Sequence, residues 1–161
     1  MVEEILLFGN THMKIQLKLS DSDICKIYEK YNRHLDWNLL SYSTTTAYNW
    51  VRPNRSSKTR NIYLKIKEED GLAGWYYYGS SVYVNLKYNE TFEEFIKTIF
   101  HEIRHWIQFK IDKRTAGSMV TKKSNKWDRV DAENEAEAWE EIGEKIFEIY
   151  NLLDYSKSIH K

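Results

Sequence analysis

Residues 13–19, Met-Lys-Ile-Gln-Leu-Lys-Leu, alternate apolar and polar, the period of a strand with one polar face. Ser20-Asp-Ser-Asp23 then offers helix caps. Ile24, Ile27, Tyr28 and Tyr31 follow at helical spacing, which predicts a helix over about 21–35. The middle of the chain reads as β-rich. Tyr42–Val51 is dense in Thr and aromatics and is expected to be extended. Asn61–Lys67 alternates Ile62, Leu64 and Ile66 with Tyr63 and lysines. Trp75–Tyr78 and Val82–Leu86 flank Gly79-Ser-Ser, a hairpin pattern, and Glu68-Glu-Asp-Gly71 is a turn.

The last third turns helical. Thr91-Phe-Glu-Glu94 is a capping box: the Thr hydroxyl takes an orphan backbone N–H and Glu94 reaches back. Phe92, Phe95, Ile96, Ile99, Phe100, Ile103, Trp106 and Ile107 form one broad apolar stripe to about residue 111. Arg114–Lys126 reads as a loop. A final helix is expected from about 129 to 153, with Ala132, Ala136, Trp139, Ile142, Ile146, Phe147 and Tyr150 along one arc. The predicted fold is α+β over residues 1–161 as one domain. It has a small mixed or antiparallel sheet, an N-terminal helix and two C-terminal helices that carry the site.

Composition narrows the classes. A chain of 161 residues is one domain by size and buries enough surface to fold without staples. Lys+Arg and Asp+Glu are both 24, so no chain-wide charge draws it to nucleic acid. The single cysteine, Cys25, excludes an internal disulfide framework and a four-cysteine zinc site and fits a reducing compartment. Beside Ile24 and Ile27 it reads as a buried apolar filler. Met-Val-Glu-Glu-Ile-Leu-Leu-Phe does not read as a signal peptide, and no stretch approaches the ~20 apolar residues of a membrane span. The expectation is a cytoplasmic protein without membrane contact.

The chemistry lies on the strongest helix, in His101-Glu102-Ile103-Arg104-His105, an H-E-x-x-H pattern. Histidines at i and i+4 stand about 40° apart on one face and can share one zinc ion. Glu102 stands about 100° round, beside the metal rather than on it, where its carboxylate can take a proton from an activated water. The bland alternative is a buried helix whose polar face happens to show two histidines. That face is poor in charges to solvate it, so something must cover it, and a metal with a second helix would do so. A catalytic zinc keeps three protein ligands. Gln108 and Ile111 stand where an H-E-x-x-H-x-x-G-x-x-H pattern needs Gly and His, and His160 lies almost at the terminus. An acid on the next helix is the better third ligand. Ala132, Ala136 and Gly143 are small enough to let two helix backbones approach closely.

His101–Gln108, a loop, and then Glu133-Asn-Glu-Ala136-Glu137-Ala-Trp139 resemble the gluzincin metallopeptidases, in several of which a Glu-x-x-Ala-acid segment on the following helix supplies the third ligand. The chain is similar in particular to the minimal zincins of phages, viruses and prokaryotes, including the broader SprT-like group. The likeness covers about residues 85–140. It implies a zinc-dependent peptidase with one Zn2+ per chain, held by His101, His105 and Glu133, with Glu102 as general base and a peptide or protein as substrate. The chain departs from SprT-like proteases proper in lacking a third histidine soon after the motif. It departs from thermolysin-like enzymes in having Trp139 where an Asp would stand. The helical registers leave Glu135 and Glu137 open as third ligands. If Glu133 is the ligand, Glu137 one turn on is a natural partner for a histidine, and Glu140 and Glu141 fall on the solvated side.

In zincins an edge strand near the metal binds extended peptide by strand addition, and Val82–Leu86 is the expected strand, with Val82, Tyr83 and Val84 binding substrate. Residues 104–129 carry eight Lys/Arg against two Asp, and 131–148 carry eight acids against one Lys. The plain reading is opposite patches that neutralise each other. The sharper one is a basic rim that touches nucleic acid. The rival functions are thus a non-catalytic zinc-binding interaction module and a protease acting on DNA- or RNA-bound proteins. Asn89-Glu-Thr91 matches a glycosylation sequon but is better explained by the helix cap.

Overall fold

A computed structural model describes residues 14–51, 59–76, 79–111 and 126–159. Strand β1 (Lys14–Lys18) leads into helices α1 (Asp21–Tyr31) and α2 (Trp37–Val51). Strands β2 (Thr59–Lys67), β3 (Gly74–Tyr76) and β4 (Ser81–Asn85) follow, then a short 3-10 turn, helix α3 (Phe92–Trp106) and the long helix α4 (Lys126–Ile159). The sheet is mixed, in the order β1-β2-β4-β3. Strand β2 runs parallel to both β1 and β4, and β3 closes antiparallel on β4. This α+β layout, with the candidate metal-binding residues on the two C-terminal helices, matches a minimal zincin fold.

The alternation in the strands sends Ile15, Leu17, Ile62, Leu64, Ile66, Val82 and Val84 to one face of the sheet. There they form a single core with Phe95, Ile96, Ile99, Phe100 and Ile103 of α3. Trp106 and Trp139 are core residues too. Helix α1 is capped by Ser20 Oγ, which accepts from the Asp23 N–H at 3.1 Å. It stops at Asn32, in the left-handed region at φ 55°, a few residues short of the expected end. Thr91 Oγ1 accepts from the Glu94 N–H at 3.1 Å. Glu94 reaches back one residue further than a strict capping box, to the Glu90 N–H. No described helix is long and apolar enough to cross a membrane.

Two expectations are corrected. Tyr42–Val51 is not extended but lies in α2. Leu40, Thr44 and Tyr48 recur every four residues and are buried, a helical stripe masked by β-branched residues. The hydroxyls that suggested a strand serve one instead. Ser41 Oγ accepts from the Leu17 N–H and Thr45 Oγ1 from the Ile15 N–H, both at 2.9 Å. Thr45 also donates to the Ile15 carbonyl at 3.2 Å. Strand β1 is an edge strand, and α2 closes its unpaired side through side chains one helical turn apart. Cys25 is exposed, not buried, because Asp23 and Ile27 take the inward positions of α1. The loop expected over Arg114–Lys126 lies, except for Lys126, outside the described residues, and with it much of the basic 104–129 segment.

Two buried asparagines tie the turn before β3 to the start of α3. Asn85 Nδ2 donates to the carbonyls of Glu69 (2.6 Å) and Leu72 (3.1 Å). Asn89 Nδ2 donates to those of Ala73 (3.0 Å) and Asn85 (2.7 Å), and its Oδ1 accepts from Thr98 at 2.7 Å. A side chain so engaged has no room for a glycan.

Replacing Ser41 by Ala and Thr45 by Val leaves two edge N–H groups without partners at nearly constant shape. Together the changes should lower unfolding stability by about 1–3 kcal/mol, read from urea midpoints. An unchanged midpoint would show that the edge is not closed by these hydroxyls.

Candidate metal centre

The face of α3 opposite its apolar stripe is covered by α4. The approach depends on small residues, as the sequence suggests. Ala132 and Ala136 are buried, and a Cβ on Gly143 would stand 2.7 Å from Lys97 Cα and 2.9 Å from Lys97 N. The helices therefore meet backbone to backbone, and the first turns of α4 lie against the H-E-x-x-H turn.

There Glu133 faces both histidines. Its Oε1 is 2.9 Å from His105 Nε2 and its Oε2 is 3.3 Å from His101 Nε2. Glu102 is buried beside them, Oε1 4.0 Å from His101 Nε2. One ligand atom each from His101, Glu102 and His105 lie within 4.8 Å of one another, a cluster that can hold a metal ion.

The far nitrogen of each ring is also held. His101 Nδ1 is 2.9 Å from Glu140 Oε2, and His105 Nδ1 is 2.9 Å from Gln108 Oε1. Gln108 is fully buried and its Nε2 donates to the Ala132 carbonyl (3.0 Å) and Glu135 Oε2 (2.7 Å). Its Oε1 must then face the imidazole and accept a hydrogen bond from the Nδ1–H. A carboxylate at Glu140 imposes the same tautomer on His101. Both rings thus carry hydrogen on Nδ1 and turn Nε2, the atom that could ligate a metal, toward Glu133. Two imidazole nitrogens and a carboxylate oxygen, without sulfur, form a donor set that suits zinc.

The charges agree with this geometry. Burial alone would lower the His101 pKa, but hydrogen bonds with Glu133 and Glu140 outweigh it and raise it to about 9. His105 is raised as well, its burial outweighed by Glu133, Glu102 and Gln108. The same two histidines hold the Glu133 carboxyl well below the usual carboxylate range. Burial pushes Glu102 up to about 7, although both histidines oppose it.

The alternatives to Glu133 are otherwise engaged or placed. Glu135 takes Arg104 at 3.0 Å and Gln108, Glu137 is exposed, and His160 lies outside the described residues. The histidine partner on α4 is Glu140, not Glu137, and it is not on the solvated side. Seven residues beyond Glu133 it returns to within about 20° of the same face, whereas Glu137 overshoots by about 40°. Gln108 was legible only as a missing glycine. It lies three residues past His105, on the π-helical turn of Ile107–Ile111 that continues α3.

Val82, Tyr83 and Val84 do not offer the expected edge. Val82 and Val84 are fully buried, and β4 is paired with β2 on one side and β3 on the other. Among the described residues the sheet edge beside the site is β3. It crosses α3 so closely that a Cβ on Gly74 would stand 2.6 Å from Thr98 Cγ2 and 3.0 Å from Glu102 Cγ. Comparison with protein-family models, curated proteins and solved structures finds no match for this chain.

Gly74→Ala should displace Thr98 and the Glu102 side chain, lowering stability by about 1–3 kcal/mol. Gly143→Ala should prise α4 from α3 with a similar loss. Melting temperatures that match the wild type in both variants would refute the close approach.

The pH dependence in chelator follows from the same contacts. His101 and His105, with raised pKa values, stabilise fully below their unfolded value of 6.5, and His101 loses its part as pH rises through about 9. Glu133, with a lowered value, stabilises above 4.5 and loses its part only in strong acid. Glu102, raised to about 7, costs stability as pH climbs from 4.5 to 7. Urea midpoints in chelator should therefore fall between pH 6 and pH 9.5, and His101→Gln should flatten the fall. A midpoint that rises over that range would contradict the charge assignment.

Proposed function

We propose that residues 1–161 are one zinc-dependent peptidase domain of the minimal gluzincin type, working in a reducing, intracellular setting. The observation that carries this reading is the convergence of two Nε2 atoms, each with its Nδ1 already bonded, on the Glu133 carboxylate, with Glu102 buried alongside. His101, His105 and Glu133 would hold the ion, while Glu140 and Gln108 orient the two rings. A bound zinc supplies Lewis acidity toward a carbonyl oxygen and lowers the pKa of water. Glu102 accepts the proton of the water that attacks the peptide carbonyl. It then returns that proton to the leaving amine as the C–N bond breaks. An extended peptide would pair with the outer edge of β3, whose first residue sits directly over Glu102.

Elemental analysis and a broad peptide library test this together. Wild type should carry about one zinc per chain. Glu133→Ala should lose most of it and Glu141→Ala none. Glu102→Gln should keep zinc while hydrolysis falls about 10²–10⁴-fold. Zinc-loaded wild type and Glu102→Gln behaving alike across the library would replace the peptidase with a non-catalytic zinc module. A zinc-free wild type would remove both.

A further inference from the structure

The sheet has a second face that neither the core nor the metal centre uses. The same alternation that buries Ile15, Leu17, Ile62, Leu64 and Ile66 turns Lys14, Gln16, Lys18, Asn61, Tyr63, Lys65 and Lys67 outward, all exposed. Strand register aligns these residues into rows. Lys18 pairs with Tyr63 and Tyr63 with Ser81; in the next row Lys65 pairs with Tyr83 and Tyr83 with Trp75. Trp75 and Tyr83 stack at 5.2 Å with planes 7° apart. The Lys65 ammonium lies 6.0 Å from the Tyr63 ring centre, and that of Lys67 lies 5.9 Å from the Tyr83 ring centre.

Aromatics on a solvated sheet face can simply be good strand formers, and Trp75–Tyr83 helps to hold the short strand β3. The charge pattern goes beyond that. The four strands contain no Asp or Glu. In a chain with equal acids and bases a plain solvated face would mix the signs. Here the acids gather on α4 instead, eight of them within residues 131–148. The nearest acids along the chain lie beyond the strand ends: Asp21 and Asp23 on α1, where Asp23 accepts from the Ile66 N–H, and Glu68–Asp70 after β2, where Lys87 pairs with Asp70.

We infer that this face binds single-stranded nucleic acid. The lysines match a row of phosphates. Tyr63 and Tyr83 lie one strand and two residues apart, about 5 Å across and about 7 Å along, so neighbouring unstacked bases can each settle on a ring. A duplex keeps its base faces inside the helix and would reach only the lysines. An acidic peptide would likewise leave the aromatics unused. The inference is independent of the peptidase reading, because none of these residues belongs to the metal centre.

Fluorescence anisotropy with the full chain, in chelator, tests it against three probes: labelled oligo(dT) of about 15 nucleotides, a duplex of equal length, and a polyglutamate peptide. Oligo(dT) should bind about ten-fold tighter than either competitor, and weaken as salt rises. The double change Lys65→Gln, Lys67→Gln should cost about ten-fold in affinity and reduce the salt slope by about 1.4. Tyr63→Leu should cost about ten-fold and Tyr63→Phe should restore binding, since stacking needs the ring and not the hydroxyl. Lys145→Gln, at an exposed position on α4, should change nothing. All are exposed positions, and melting curves verify folding. No binding of oligo(dT) at low salt overturns the proposal. So does equal binding of duplex or polyglutamate, or oligo(dT) binding that the lysine and tyrosine changes leave intact.

Discussion

The separation of α3 and α4 governs the site. Metal-ligating distances have a tolerance of a few tenths of an ångström, while helices with ordinary side chains pack 8–10 Å apart. Glu133 can reach His101 and His105 together only because Gly143 and the two alanines remove the side chains that would separate the helices. The cost is carried by the histidines. Without a cation, two imidazoles crowd one carboxylate, and the system responds by raising both histidines and lowering the acid. A divalent ion at that point would take the place of those protons, where the two Nε2 atoms and the carboxylate already converge.

The rings are directed from behind as firmly as from the front. Gln108 would be a poor choice as a solvent-facing residue on an apolar helix. Its value lies in having one acceptor and two donors. The donors are spent on the Ala132 carbonyl and on Glu135, so the acceptor is left for His105. Because Ala132 is next to Glu133, the same amide that sets the ring's tautomer also fixes the helix that brings the carboxylate. A single buried side chain thereby couples ligand orientation to helix position. Arg104, bonded to Glu135 and lying 5.5 Å from the Trp139 ring, anchors the same turn from outside.

Much of this was legible because period and chemistry coincided. The strand alternations, the apolar stripe of α3, the H-E-x-x-H turn and the small residues of α4 each follow from local rules, and the structure brings Glu133 to the two histidines. What was not legible depended on partners distant in sequence. Thr45 reads as a strand former until β1 is seen to need its hydroxyl, and that of Ser41, on a helix. Val82–Val84 reads as an edge until β2 is found on its other side, since sequence order does not give strand order. Glu140 reads as solvated until α4 is set in register against His101, where a difference of about 60° separates it from Glu137.

The candidate centre has an open flank. Glu102 and His105 are buried, but the Glu133 side chain is half exposed, so the site opens on the α4 side rather than through the core. Strand β3 borders it, held over α3 by the Asn85 and Asn89 side chains rather than by its own length of three residues. A longer strand could pair and hold itself. A short one must be fixed from its flanks, and its glycine must let it lie on the helix. That closeness brings the main chain of β3 directly against the Glu102 side chain.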